Sequence, residues 1–252
     1  MIHAAECMKR VLFKQTKTMY ELDTEEKVIY QATAFGALMR KVYVWMTLAL
    51  AVSGLTAMYV AQNAVTMSPK ILSPTSILFL CIAEIGLVIY LTARIHKMSF
   101  PTAGILFVIY SILNGVTLSF VFIAYTLTSI ASTFFITAGT FAAMSLIGYN
   151  TKRDLSVMGR YLLYALIGII IASIVNIFVA SSPLQWIISF AGVIIFVGLT
   201  AYDTQKIRKM FLMYGDSVNE GTQKLALMGS LTLYLDFINL FLYLLRFFGD
   251  RK

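Results

Sequence analysis

Seven apolar runs follow one another along the chain, each set off by a short polar stretch. They extend approximately over Val42–Ala61, Ile77–Leu91, Pro101–Ile123, Ser129–Tyr149, Val157–Ala180, Leu184–Tyr202 and Leu225–Phe248. A helix rising 1.5 Å per residue needs about 20 mostly apolar residues to cross the hydrocarbon core, and each run meets that need with little slack. The second is the shortest. It reaches back toward Ile71 only by taking Pro74 into its first turn, where a missing N–H is tolerated. The links between runs three and four and between runs five and six are a few residues long, so those helices pair as antiparallel hairpins. The pattern predicts an all-α integral membrane protein of seven transmembrane helices over residues 42–252, preceded by a polar tail over residues 1–41.

Composition strengthens this reading. The chain is 59% hydrophobic and 13% charged, with mean hydropathy +0.81, whereas a soluble domain carries about 25% charged residues. The surplus apolar surface faces lipid. A net charge of +8 raises the question of nucleic acid, but the basic residues cluster between apolar runs and form no stripe interleaved with aromatics. They act instead as orientation charges. Sixteen Lys and Arg fall in the N-terminal tail and the second, fourth and sixth links; four fall in the first link and at the C-terminus. Because positive loops stay inside, the N-terminus is expected in the cytoplasm and the C-terminus outside.

Little else in the sequence suggests chemistry. Cys7 and Cys81 lie in the tail and in an apolar run, with no CxxC spacing, and are not expected to pair. His3 and His96 stand alone. No phosphate-cradling glycine loop occurs, and the first 40 residues are read as a polar tail rather than a signal peptide. Neither an enzyme nor a resident cofactor is expected. Most glycines lie inside the spans, where small residues let helices approach, and Gly168, Ala172 and Asn176 mark a plausible contact face on the fifth helix.

Three acidic residues remain inside the spans: Glu84 in the middle of the second, Asp203 at the end of the sixth and Asp236 within the seventh. A buried charge costs a few kcal/mol or more and marks a functional position by default. On the seventh helix, Gly229, Thr232, Asp236, Asn239, Tyr243 and Arg246 follow at intervals of three and four, so they share one face. Such a seam must meet protein or a water-filled path, because lipid satisfies no polar group. Asn239 and Tyr243 fit simple helix glue; Asp236 does not, since a neutral residue would glue as well. Asp203 and Asp236 approach from the same membrane side, but Asp236 lies about 16 Å beyond Leu225 at 1.5 Å per residue. Tilt, a later start of the seventh span or a break in the sixth helix has to bring them level. Arg94 closes the second helix on that side, where snorkelling is the ordinary role of an arginine.

These stretches resemble the Bax inhibitor-1 family, also called the transmembrane Bax inhibitor motif family. The resemblance rests on LYLDFINLFLYLLRFFG (233–249), AYDTQ (201–205) and YNTKRDLSVMGRYLL (149–163). FVIYSILNGVTLSFVFIAYT (107–126) and SIASTFFITAGTFAAMSLIGY (129–149) are similar to its bacterial branch. It covers residues 35 to 250 and implies seven helices with helix seven central among the other six. It further implies a pH-sensitive calcium leak in a bacterial cytoplasmic (inner) membrane, with Asp203 and Asp236 as a paired sensor. Arg94 would be the gate over that pair, and Glu84 a lining residue of the ion pathway; Asn239, on the polar seam of helix seven, is a further candidate for that pathway from its position alone. Functions tied to a strongly basic C-terminal tail do not transfer, because this chain ends GDRK.

The implied mechanism has a simple physical basis. Two carboxyls in contact cannot both carry charge cheaply, so they share a proton and titrate as a unit. Protonation then sets both the contact between helices six and seven and the field met by a passing cation. Calcium, a hard cation, would be held transiently by Asp203 and Asp236 as a transported ion; the expected partners are the lipid bilayer, calcium and protons, with the protein acting as a monomer. A proton-coupled cation exchanger would use the same residues, and a non-conducting membrane regulator of stress or cell-death partners is a third reading. An intramembrane aspartyl protease is disfavoured, since Asp236 sits in LYLD and not in a GxGD motif.

Overall fold

The computed structural model describes residues 33–63, 73–214 and 217–252. Cys7, His3, Lys70 and the sequence up to residue 32 lie outside them. Seven helices are present among the described residues: α1 (Thr33–Gln62), α2 (Pro74–Arg94), α3 (Phe100–Ala124), α4 (Leu127–Asn150), α5 (Ser156–Val179), α6 (Ser182–Tyr214) and α7 (Glu220–Phe248). All seven are long and apolar enough to cross a membrane. Thus α1 runs in from Thr33 instead of Val42, and the last turns of the stretch read as tail belong to it.

Local sequence accounts for where the helices begin. Ser73, Ser99 and Thr126 each accept a backbone N–H from three residues on, and prolines occupy the first turns of α2 and α3. Hydroxyl caps followed by proline satisfy or remove the orphan donors of a helix start. Asn219 opens α7 through a reciprocal pair of hydrogen bonds with Thr222. The α5–α6 link turns on Ala180, whose φ of 51° is the only positive value at a described non-glycine residue. The Asn176 carboxamide holds that turn by accepting the Ser181 N–H at 3.0 Å.

Helix α7 is the axis of the bundle, with 67% of its apolar stretch buried, while α5 at the rim buries 6%. It packs against α3, α4 and α6, and α5 leans on α6. Outward-facing Phe135, Ile177 and Phe178 are each more than 70% exposed, a lipid-facing surface in a chain of this hydropathy. The expected contact face on α5 is partly different from the one observed. Gly168 faces open space, and the packing side consists of Leu162, Leu166, Ile169 and Ala172. By contrast, Gly148 permits a direct backbone approach: a Cβ there would run into the Ala201 carbonyl of α6. That contact fixes α4 against α6 two residues before Asp203.

The depth mismatch between the two aspartates is resolved by helix length. Instead of ending at Tyr202, α6 continues unbroken to Tyr214, and α7 begins at Glu220 instead of Leu225. Asp203 therefore stands eleven residues before the end of α6 and Asp236 sixteen residues into α7. At 1.5 Å per residue these are about 16 and 24 Å along the two helices, and the two carboxyls meet.

Candidate functional site

The polar face of α7 meets α6. Gly229 lies against Ile207, Asp236 against Asp203, and Tyr243 against Gly192 and Phe196. Positions on α7 rise by seven while their partners on α6 fall, as an antiparallel seam of two helices requires. Glycines at both flanks make room for a partner side chain, Ile207 over Gly229 and the Tyr243 ring over Gly192, and the aspartates occupy the middle.

Both carboxyls are buried, with relative exposures of 9% for Asp203 and 5% for Asp236, and they face each other in hydrogen-bonding contact. Oδ2 of Asp236 is buried without a donor among the described residues. A buried acceptor left unpaired costs about 1–3 kcal/mol. A shared proton between the carboxyls turns their contact into a strong hydrogen bond; two full charges about 4 Å apart would instead repel by about 4 kcal/mol at an effective dielectric of 20. The arrangement is a buried carboxyl–carboxyl contact between α6 and α7.

The surroundings support Asp203 from several sides. Thr204 donates to Ser145 of α4 at 3.3 Å, and the Tyr43 hydroxyl of α1 reaches both. Gln205 grips the α4–α5 link, donating to the Arg153 carbonyl at 2.8 Å and accepting the Leu155 N–H at 2.9 Å. Farther along α6, Lys209 pairs with Asp154 of the same link. The Lys209 ammonium and the Ser156 hydroxyl and N–H hold the Asp154 carboxyl down at about 2.

The cation whose charge acts on both aspartates is Lys206, one helical turn after Asp203. Its ammonium stands 6.0 Å from the centre of the Tyr202 ring. Arg94 does not engage the pair here: it is exposed at the last turn of α2 and, among the described residues, makes no ion pair or hydrogen bond. The short 3-10 turn after it, Ile95–Lys97, buries Ile95 and packs on α7. Just beyond, Lys224 donates to the Met98 carbonyl at 3.1 Å, and Glu220 accepts the Phe100 N–H at 3.0 Å.

Glu84 belongs to a second cluster, on the other side of α7. Its carboxylate accepts from Thr117 at 2.5 Å and from Asn114 at 3.4 Å, both on α3. The Asn114 oxygen accepts the Tyr234 hydroxyl at 2.9 Å, and that hydroxyl lies 2.6 Å from Ser53 Oγ of α1. The phenol joins α7 to α1 and α3, and the Asn114 amide extends the chain of contacts to α2. Asn239 enters neither cluster: its amide donates to the Leu235 carbonyl of its own helix at 2.8 Å. Tyr234, Asn114, Thr117, Ser53 and Lys206 were not singled out from sequence, although Ser111, Asn114 and Thr117 recur at intervals of three along one face of α3.

Among the described residues no group of three or more His, Cys, Asp or Glu side chains could hold a metal ion. Two carboxyls fall short of the 6–8 oxygens that calcium prefers, so a cation at this pair would depend on water and backbone carbonyls and be held briefly.

Residues 36–252 match the family described as "Inhibitor of apoptosis-promoting Bax1". The chain is 47% identical over 227 residues to the Inner membrane protein YbhL of Escherichia coli (strain K12), covering 90% of this chain and 97% of that protein. It is 46% identical over 234 residues to an uncharacterized protein of Borreliella burgdorferi, covering 93% and 99%.

Proposed function

Since this multi-pass membrane protein belongs to the Bax inhibitor-1 family, we propose that it is a pH-sensitive calcium leak of a bacterial inner membrane, gated by the proton that Asp203 and Asp236 share. The observation that carries the reading is the buried carboxyl pair at the α6–α7 seam, one oxygen of which has no donor among the described residues. In this reading the protonated pair clasps the two helices, and a change of protonation alters both the clasp and the negative field along α7. Asp203 and Asp236 act as sensor and as transient calcium ligands.

Arg94 would restrain the cytoplasmic mouth, a role favoured by its free guanidinium beside the turn that packs on the start of α7. Lys206 joins it as the charge that biases the pair. Glu84, half-buried and held by two donors, would line the path on the far side of α7. No covalent chemistry is required; calcium is cargo and no resident cofactor is invoked. The sixteen-to-four division of basic residues supports a cytoplasmic N-terminus and an external C-terminus.

The test is purified protein in liposomes loaded with a calcium-sensitive dye and assayed across pH. A flux that follows pH and disappears in protein-free liposomes supports the reading. Calcium movement tied to a fixed number of counter-moving protons would make the protein an exchanger, and no flux at any pH would leave a non-conducting regulator.

A further inference from the structure

At the opposite end of α6 and α7 from the aspartate-bearing extension lies a cavity of about 470 Å³ whose polar lining comes from Tyr125, Ser173, Asn176, Gln185, Arg246 and Arg251. No carboxylate lines it. Asp250, next to Arg251 in sequence, is turned away onto Ser129, whose hydroxyl lies 3.4 Å from its carboxylate and accepts its backbone N–H at 3.0 Å. The Asn176 oxygen is occupied by Ser181 N–H, which leaves its amide donors for the cavity.

Both guanidiniums are positioned without being neutralised. Arg246 sits over the Tyr243 ring at 5.7 Å and Arg251 over the Tyr125 ring at 5.9 Å, contacts that orient a cation and leave its edge donors open. Neither has an ion-pair partner among the described residues. The C-terminal segment carrying Arg251 is anchored, since Thr126 N–H donates to the Asp250 carbonyl at 3.1 Å and Lys252 N–H to that of Ala124 at 3.0 Å. Around the cavity, exposed Trp186 stacks on Phe190 and touches Phe247; such aromatic groups settle at headgroup depth.

We propose that this cavity is a phosphate-binding site, in which Arg246 and Arg251 grip the anion and Ser173, Asn176 and Gln185 complete its hydrogen bonds. The planar guanidinium fork matches phosphate geometry. A phospholipid headgroup and free inorganic phosphate share this chemistry. Either would tie the last turn of α7 and the C-terminal segment to α5 and α6.

The full chain, purified in detergent, is titrated separately with phosphatidylglycerol, with diacylglycerol as the phosphate-free lipid, and with inorganic phosphate; lipid retention is read by native mass spectrometry and stability by thermal unfolding. Phosphatidylglycerol or phosphate is expected to bind and raise the unfolding temperature. Arg246→Gln and Arg251→Gln should each weaken binding about tenfold, as loss of a charge-assisted contact predicts. Lys252→Gln removes the same charge one residue on, from an amine that donates to the Phe122 carbonyl, and should leave binding intact. Phosphate that stabilises the protein and displaces the lipid assigns the site to the free anion; binding of phosphatidylglycerol alone assigns it to a headgroup. Equal weakening by Lys252→Gln, or no preference for either phosphate source over diacylglycerol, which lacks the phosphate, overturns the proposal. Arg251→Gln, at an exposed position next to the chain end, keeps the test decisive if Arg246→Gln fails to fold.

Discussion

Tyr234 and Asp236 stand two residues apart on α7 and serve opposite sides of it. The Tyr234 hydroxyl joins Ser53 of α1 and Asn114 of α3, while the Asp236 carboxyl meets Asp203 of α6. Two residues are about 200° of helix rotation, so α7 is a rigid wall with a polar cluster on each face. Any rotation or shift of α7 that frees one cluster must disturb the other.

Tyr234→Phe tests this coupling. The ring keeps its T-shaped contacts with Phe107 and Tyr110, but Asn114 loses a donor and Ser53 a partner in a buried place. Stability should fall by about 1–3 kcal/mol, seen as a lower thermal midpoint in detergent. The pH midpoint of calcium flux should move as well, although Tyr234 does not touch the aspartates. An unchanged flux profile in a destabilised protein would make the two clusters independent.

The seam of α7 was legible because polar residues at intervals of three and four stand out against an apolar helix. Tyr234 was not, since a tyrosine reads as apolar bulk until its hydroxyl is seen opposite Asn114. The length of α6 was equally hidden: Lys206, Arg208 and Lys209 signal the end of a membrane span, yet they continue a helix without strain, because neither residue type breaks one. Counting Lys206 only as an orientation charge also concealed its position one turn from Asp203. Arg94, at a helix end, was placed correctly in the chain but stands apart from the pair it was expected to close over.

Arg94 and Lys206 are predicted to differ in effect. Arg94→Ala should raise basal calcium flux at the pH where the wild-type protein is closed, while Lys97→Ala, removing a charge from the same link, should not. Lys206→Gln should shift the pH midpoint with a smaller effect on basal flux, because its charge bears on both carboxyls. Equal increases from Arg94→Ala and Lys97→Ala would reduce Arg94 to an interfacial anchor.

Asp154 gives a pH dependence of stability with a definite sign. Lys209 and Ser156 hold its carboxyl at about 2, below the ordinary 3.8. A depressed value stabilises the folded state at pH above the ordinary value, and that contribution fades as pH falls from about 4 through about 2. Because the pair is exposed, the effect should be small and weaken with salt. Asp154→Asn should flatten the thermal midpoint between these pH values relative to wild type; identical acid profiles would remove the ion pair as a contributor.

Orientation follows from the sixteen-to-four division of basic residues. A reporter active only in the cytoplasm should be silent when fused after Lys252 and active when fused before Met1. The C-terminal segment is hydrogen-bonded to the α3–α4 link, so a flexible linker is needed to leave that docking intact. A bright C-terminal signal would overturn the orientation.

The aspartate pair itself carries the most direct prediction. Asp236→Asn preserves shape and can donate to Asp203, so α6 and α7 should remain clasped and the protein should fold, but no shared proton is left to titrate. Its calcium flux should lose most of its dependence on pH in the near-neutral range. Asp203→Asn should do the same from the other side of the seam. Since both substitutions break one unit, the double mutant should add little beyond either single mutant; independent sites would instead give additive shifts. Should both single mutants keep the wild-type pH profile in liposomes, Asp236 would be a structural contact between two helices, and the sensor would have to lie elsewhere in the bundle.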